Sequence, residues 1–302
     1  MSAPSPDLPQ RHRRYTIGAH VFDAPRARPG LHLVATPIGN LGDITIRALE
    51  TLAGADTVLC EDTRVTSKLF QRFGLRTPLK PYHDHNAQTV RPAILAELAG
   101  GASIALVSDA GTPLVSDPGY KLVHEAIGAG VTVEALPGAS AVLAGLSVSG
   151  LPTDRFLFAG FLPPKSSARR AVLEDLKSVP ATLVFFDTAP RLADTLADVA
   201  AVMGARGVVV ARELTKLHEE VLRGTAAALA AEVAGRASLK GEICLLIAPP
   251  ADDVAVSEAD VDAALAAALE TAPAAQAAAL VAKRFGLVKR DVYARALALK
   301  GR

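Results

Sequence analysis

From Leu31 onward, short runs of apolar and β-branched residues alternate with longer stretches in which apolar positions recur at helical spacing. Leu31–Thr36, Thr57–Cys60, Ser103–Val107 and Val131–Ala135 read as strands, and Ile44–Ala53 and Tyr120–Ala129 as helices. Alternation of that kind predicts a largely parallel sheet covered by helices. After a break at Ser149–Asp154 (SGLPTD) the pattern starts again, with strands at Phe156–Gly160, Thr182–Phe186, Gly207–Ala211 and Ile243–Ala248. No close repeat of 20 to 50 residues is visible, so two domains are expected rather than a solenoid. From Ser257 the strand signal stops and Ala and Leu dominate. Ser257 followed by Asp260 reads as a capping-box-like helix start, Gly286 as a helix stop and Lys289–Leu299 as a further short helix. Residues 1–29 hold five Pro and five Arg with little periodicity, which predicts a mobile basic arm. The expected organisation is therefore an arm (1–29), an N-terminal α/β domain (30–150), a C-terminal α/β domain (151–250) and a helical basic tail (251–302).

Half of the 302 residues are hydrophobic, 21% are charged and the formal net charge is +1, which excludes a disordered chain and a globally basic nucleic-acid coat. Any nucleic-acid contact must use a local patch. One candidate is Lys283–Arg302, with seven basic residues against the single acid Asp291, which reads as either a solvated helix face or an RNA-binding tail. Cys60 and Cys244 stand far apart and outside any C-x-x-C spacing, which excludes a disulfide framework and a cysteine zinc site and suits a reducing cytosol. The apolar stretches Leu136–Leu151 and Ala263–Ala282 are interrupted by Pro137, Glu270 and Pro273, so no membrane span is expected. The N-terminus has arginines but no apolar run, which argues against secretion.

In an open parallel sheet ligands bind beyond the carboxyl ends of the strands. Three loops there are rich in Gly and Pro: Pro37–Asp43 (PIGNLGD), Ser108–Gly119 (SDAGTPLVSDPG) and Leu136–Ala141 (LPGASA). Such residues fix tight turns and leave main-chain groups bare, so a flat heterocycle or amino-acid moiety can approach closely. Any α/β protein needs tight strand-to-helix turns, but three in succession, one carrying both Asp109 and Asp117, suggest a nucleotide-like ligand. Neither a G-x-G-x-x-G nor a G-x-x-x-x-G-K-[ST] motif is present, so phosphate-cradling readings drop.

Polar residues cluster in Cys60–Arg64 (CEDTR), Tyr82–Asn86 (YHDHN) and Arg212–Lys216 (RELTK). His83 and His85 have a spacing that can ligate a metal on a strand, but no third ligand is marked and no metal is expected. Glu61 and Asp62 read either as helix-capping groups or as substrate contacts. Lys165, Arg169 and Arg170 form a small basic patch, or merely a solvated helix start.

The strings TPIGNLGDIT (Thr36–Thr45), EDTR (Glu61–Arg64), HDHN (His83–Asn86), SDAGTPLVSDPG, LPGASA, SGLPTDRF (Ser149–Phe156), GFLPPKS (Gly160–Ser166) and ARELTK (Ala211–Lys216) closely resemble, in order and spacing from about Leu31 to Ala248, the ribosomal RNA small subunit methyltransferase I family. That family belongs to the tetrapyrrole methylase-like group of S-adenosylmethionine enzymes. The resemblance implies two α/β/α domains of the tetrapyrrole methylase type plus a small helical C-terminal extension, usually as a homodimer in the cytoplasm. It implies S-adenosylmethionine as cofactor, held in the interdomain cleft at Ile38, Asp109, Ala110, Gly111, Ser140, Ala141, Arg212 and Leu214. The implied reaction is 2′-O-methylation of a cytidine ribose in the decoding centre of 16S rRNA, within the small ribosomal subunit. A ribose hydroxyl is a weak nucleophile, so a base or a charge-stabilising group is needed, and Glu61, Asp62, His83 and His85 are the candidates. Arg64, Lys68, Asn86, Lys165, Arg169, Arg170 and Lys216 are the candidate RNA contacts, together with the tail. Two other readings are a precorrin-type tetrapyrrole methyltransferase and a non-catalytic RNA-binding protein of the same fold. The first would need a broad apolar trough, which 4% aromatics and two basic appendages suit poorly. The second would have lost the glycine-rich loops, which are present.

Overall fold

A computed structural model describes residues 13–236, 238–250, 258–285 and 287–300. Among them the chain divides into two compact units, one reaching Pro249 and one beginning at Pro250.

The larger unit opens with a hairpin of β1 (Arg14–Ile17) and β2 (His20–Asp23). Next come β3 (Gly30–Val34), α1 (Ile46–Gly54), β4 (Thr57–Cys60), α2 (Thr63–Arg72), β5 (Leu79–Pro81), α3 (Ala87–Ala99), β6 (Ser103–Val107), α4 (Tyr120–Gly128), β7 (Val133–Leu136) and α5 (Ala141–Ser149). Its second half holds β8 (Phe156–Phe161), α6 (Ser166–Leu176), β9 (Thr182–Thr188), α7 (Leu192–Met203), β10 (Gly207–Arg212), β11 (Glu220–Thr225), α8 (Ala226–Ala234) and β12 (Glu242–Ile247).

The first sheet has the order β5-β4-β6-β3-β7 and every pairing in it is parallel. Its central strands β4 and β6 are buried throughout, so they read as continuous apolar runs. The two-residue repeat of a strand sorts their side chains to opposite faces. Val58, Cys60, Ala105 and Val107 pack with α1 and α2, whereas Leu59, Ile104 and Leu106 pack with α3 and α4.

The second sheet has the order β11-β10-β12-β9-β8. Only β8 and β9 are parallel; the other three pairings are antiparallel. This departs from the parallel sheet that the alternation predicts. Periodicity reports what an element is but not its neighbour, and here β12 inserts between β9 and β10. The edge strand β11 (EVLRGT) has no fully buried residue, hence no apolar run to betray it.

After β7 the chain does not return to the first sheet. α5 instead lies on the inner face of the second, where Val142 and Leu146 pack with Val184, Val209, Cys244 and Leu246. Gly145 makes the approach possible, because a Cβ there would sit 2.7 Å from Cys244 Sγ. The outer face is covered by α6, α7 and α8 over Leu183, Phe185, Val208, Val210 and Leu245.

Residues 14–23 do not form the mobile arm expected of them. Tyr15 stacks on Phe22 at 5.3 Å and is buried in the core beneath α1 and α2. The Thr16 N–H donates to the Phe73 carbonyl (2.7 Å), and Arg26 reaches Asp56 (2.9 Å). A four-residue strand carrying one buried aromatic is too short to stand out against the Arg and Pro around it. The first twelve residues of that arm lie outside the described residues.

The smaller unit consists of α9 (Glu258–Leu269), α10 (Ala274–Phe285) and α11 (Lys289–Lys300). Val261, Leu265, Ala278, Val281, Val292 and Ala296 form its core, and Arg295 of α11 grips Asp262 of α9. Ser257 and Gly286, with the capping and stop roles read for them, lie outside the described residues. No helix among the described residues is long and apolar enough to cross a membrane.

Candidate active site

The loops after β3, β6 and β7 are stitched into one surface. Thr36 and Gly111 exchange both main-chain hydrogen bonds (2.9 and 3.0 Å), the Ser108 hydroxyl donates to the Gly111 carbonyl (3.0 Å), and the Thr112 hydroxyl donates to the Ala139 carbonyl (3.2 Å). Gly111 stands at φ +85°, a left-handed conformation that favours glycine, and faces Ile38. Gly39 carries the first loop onto the second half of the unit. A Cβ there would meet Lys216 Cγ at 2.4 Å and the Leu214 carbonyl oxygen at 3.0 Å. Gly39→Val is therefore expected to wedge the two halves apart at a cost of about 1–3 kcal/mol. Calorimetry of S-adenosylmethionine binding should show a matching loss of affinity; an unchanged Kd would remove the loop from the site.

Between the two halves lies a cleft of about 310 Å³. The first half contributes Ile38, Asp109, Ala110, Val115, Asp117 and Ala141; the second contributes Phe161, Phe186, Asp187, Thr188, Leu214 and Glu242. The lining is apolar and aromatic with four carboxylates and no basic side chain. Asp187 is fully buried, its Oδ1 accepts from the Thr188 N–H (2.8 Å) and lies 3.5 Å from Arg191 Nε, and its Oδ2 has no hydrogen-bond partner. A buried acceptor left open in a cavity wall calls for a ligand that donates. The cleft thus suits a positively charged, donor-bearing molecule with a flat ring.

Five of the residues expected to bind cofactor line this cleft: Ile38, Asp109, Ala110, Ala141 and Leu214. Three do not. Gly111 supports Ile38 from behind, and Ser140 caps α5 by accepting from the Leu143 N–H. Arg212 turns away to Glu220 (3.1 Å) and to the carbonyls of Lys240 and His218. Asp187, Phe186 and Glu242 were not foreseen. They lie at strand ends of the second sheet, and the FFDT ending of β9 is the one local sign of them.

A second pocket of about 470 Å³ opens from the loops after β4 and β5 and shares Asp109 with the cleft. Glu61, Asp62, Arg64, His83 and His85 all line it, so the four candidate catalytic residues come together. Their environments differ. Asp62 caps α2, and the Arg64 guanidinium together with the Arg64 N–H holds its carboxyl down to about 2. It is therefore a fixed anion rather than a proton acceptor. Glu61 is pushed up by burial and then by the charges of Asp109 and Asp84. His83 has a buried Nδ1 without a partner, and its ring meets that of His85 edge-on at 6.0 Å.

Asp117 carries the largest upward carboxylate shift of this region. Burial, followed by repulsion from Glu61 and Asp109, raises it to about 6. The sequence places it in one loop with Asp109, and no local feature marks its role. Neighbouring residues take strained backbone, Leu114 at φ +74° and Ser116 at φ +66°. Among the described residues no group of three His, Cys, Asp or Glu side chains is placed to hold a metal ion.

The candidate RNA contacts divide. Arg64, Lys68 and Lys165 are exposed. Asn86 is a turn staple: its Oδ1 accepts from the His83 N–H (2.9 Å) and its Nδ2 donates to the Pro81 carbonyl (3.0 Å). Arg169 is buried and bound to Asp198 (2.6 Å), which Arg170 also holds. Lys216 bridges Glu213 (2.8 Å) and Glu242 (2.6 Å). A run of basic letters does not reveal which charges are already paired, and so Arg169, Arg170 and Lys216, like Asn86, serve mainly the fold.

The family model "Tetrapyrrole (Corrin/Porphyrin) Methylases" matches residues 30–230, and "RsmI C-terminal HTH domain" matches residues 255–300. The chain is 52% identical to the ribosomal RNA small subunit methyltransferase I of Mesorhizobium japonicum, over 94% of this chain and 97% of that one. It is 45% identical to the protein of the same name from Escherichia coli O157:H7, over 90% and 96%. Among solved structures, diphthine synthase superposes with a TM-score of 0.57 at 19% identity, covering 72% of this chain and 89% of that one. Uroporphyrin-III-C-methyltransferase from Thermus thermophilus gives 0.52 at 20% identity, covering 73% and 94%.

Proposed function

This chain belongs to the tetrapyrrole methylase family and, within it, to the ribosomal RNA small subunit methyltransferase I family, and from that membership we propose that it methylates the ribose 2′-hydroxyl of a decoding-centre cytidine in 16S rRNA. It is an S-adenosylmethionine-dependent methyltransferase. The donor set of the cleft fits that cofactor: acidic and apolar walls for a sulfonium and an ammonium, aromatic rings for an adenine, and the open Asp187 oxygen for a donor. Bound there, S-adenosylmethionine supplies a methyl group on a sulfur that is already an excellent leaving group.

The protein then has to align an acceptor, keep water out and take one proton. The observation that carries the reading is the wall the two cavities share. Asp109 lines both the pocket of Glu61, His83 and His85 and the cleft, and Asp117 lines the cleft with a carboxyl raised to about 6. In this reading the nucleotide enters the Glu61–His83 pocket with its sugar toward the cleft. Asp117 accepts the hydroxyl proton, and Asp62 and Arg64 hold the pocket wall. A 2′-oxygen exists only in RNA, so DNA is not a substrate.

RNA contact is assigned to exposed Arg64, Lys68 and Lys165 and to the three-helix unit. Lys289 and Arg290 stand exposed at the start of α11, and Tyr293 and Leu297 follow Lys289 at helical spacing. The double charge reversal K289E/R290E is expected to weaken binding to small ribosomal subunits and to lower the slope of log K against log salt by about 1–2. An unchanged slope would leave α11 as a packing element. Homodimeric assembly and a cytoplasmic setting complete the reading, and free, buried Cys60 and Cys244 suit the latter.

The deciding experiment incubates the full chain with labelled S-adenosylmethionine and small subunits lacking this modification, then maps the label. Label on a cytidine 2′-oxygen of the decoding centre is the expected result. Label on a base, or none, would overturn it.

A further inference from the structure

Asp117 also lines a third cavity, of about 400 Å³, formed by α3 and the start of α4. It is built differently from the other two. Tyr120, the first residue of α4, is 71% exposed, and its ring stacks on that of His124 one turn later (5.9 Å, 21°). Gly119 sets the backbone that enters α4 beside it: at φ +134°, a Cβ there would meet Leu114 Cδ2 at 2.6 Å and Leu106 Cδ2 at 2.9 Å. Arg91 is held by Glu125 (2.8 Å), whereas Lys121 is exposed and has no ion-pair partner among the described residues. Asp84 and Gln88 complete the polar rim.

A flat, exposed ring backed by an imidazole, an unused cation beside it and hydrogen-bonding groups around it form a site for a single-stranded nucleotide. Every base has a π-face to stack, Lys121 can take the adjoining phosphate, and Asp84 accepts from a base bearing an amino group. Asp117 lines both this cavity and the cleft, so the two are neighbours, and a strand whose target sugar lies at the cleft can place an adjacent base here. We propose that Tyr120 is a stacking platform for a base flanking the methylated nucleotide, with Lys121 on its phosphate. The inference rests on the RNA-acceptor reading above and adds to it where the strand runs.

The test uses full-length protein, S-adenosylmethionine and undermodified small subunits, comparing wild type with Tyr120→Ala, Tyr120→Phe and Lys121→Ala. Tyr120→Ala is expected to raise KM for the subunit on the order of tenfold, with the loss in KM rather than in kcat and with unchanged cofactor affinity by calorimetry. Tyr120→Phe keeps the π-face and should restore KM, and Lys121→Ala should reduce the salt dependence by about one phosphate contact. A wild-type KM in Tyr120→Ala would overturn the proposal. A shift of Tyr120→Ala from dimer to monomer on a sizing column would also overturn it, marking the face as a contact between copies. Absence of transfer by wild-type protein would overturn the acceptor reading itself, and this inference with it.

Discussion

Replacing Asp117 with Asn is expected to slow single-turnover methyl transfer at pH 8 by about 10²-fold or more, the usual contribution of a positioned general base. The cofactor Kd should change far less than the rate. In the wild type the rate should climb through about pH 6, where this carboxyl loses its proton, and level off above. The Asn variant should lack that limb. Glu61→Gln removes one of the two charges that oppose ionisation of Asp117 and should move the limb to lower pH. Stability should change in the opposite direction from activity. A carboxyl whose folded pKa lies above its unfolded value binds more protons in the folded state. The fold therefore loses stability as pH rises from the ordinary carboxylate range through about 6, and the full penalty remains above that. Asn escapes it, so at pH 8 the variant should melt higher than wild type while being almost inactive. If the acid limb persists in Asp117→Asn, the proton acceptor is Glu61 instead, whose carboxyl is also raised by burial.

Asp198→Ala is expected to be the most destabilising of the side-chain truncations considered. The Asp198 and Arg169 side chains are each 4% exposed, in contact at 2.6 Å. Asp198 also accepts from Ser166 (3.0 Å) and Arg170 (2.5 Å), and Arg169 donates to the carbonyls of Pro163 and Pro164. Burial works against the Asp198 carboxylate, but these hydrogen bonds outweigh it and hold its pKa below the usual range. Removing it strands a guanidinium away from water, which costs about 3–5 kcal/mol. For a unit of this size that corresponds to a Tm lower by about 6–20 °C. Arg170→Ala leaves the buried pair intact and should cost far less. A melting point within two degrees or so of wild type would show that Arg169 finds other partners. The effect should reach the cleft as well, because Arg169 holds the loop that follows Phe161.

Much of this was legible in the letters. Strands β4 and β6 match the expected Thr57–Cys60 and Ser103–Val107 residue for residue, because a strand buried on both faces is an unbroken apolar run. The glycine-rich loops were visible for a related reason: Gly39 and Gly111 stand where a side chain would collide or strain the backbone. What stayed hidden depends on pairing in space. Nothing local distinguishes Arg169, buried on Asp198, from Lys165 four residues earlier in solvent. Nor does the sequence around Asp117 announce that Glu61 and Asp109, from two other loops, will resist its ionisation. The direction of β12 escaped as well, since antiparallel insertion leaves no mark on the strand's own composition.

The placement of α5 has a mechanical consequence. A helix that follows the first sheet in the chain but is buried on the second works as a rivet. The halves cannot swing open on the linker at Gly150–Asp154 without exposing Val142, Leu146 and the inner face of β12. With that packing intact, the segments bordering the cleft that have strained backbone are the 112–119 turn and the 213–219 loop, at Leu114, Ser116, Glu213 and Thr215. Cutting the chain at that linker would not release an intact half, because each lacks a wall that only the other supplies.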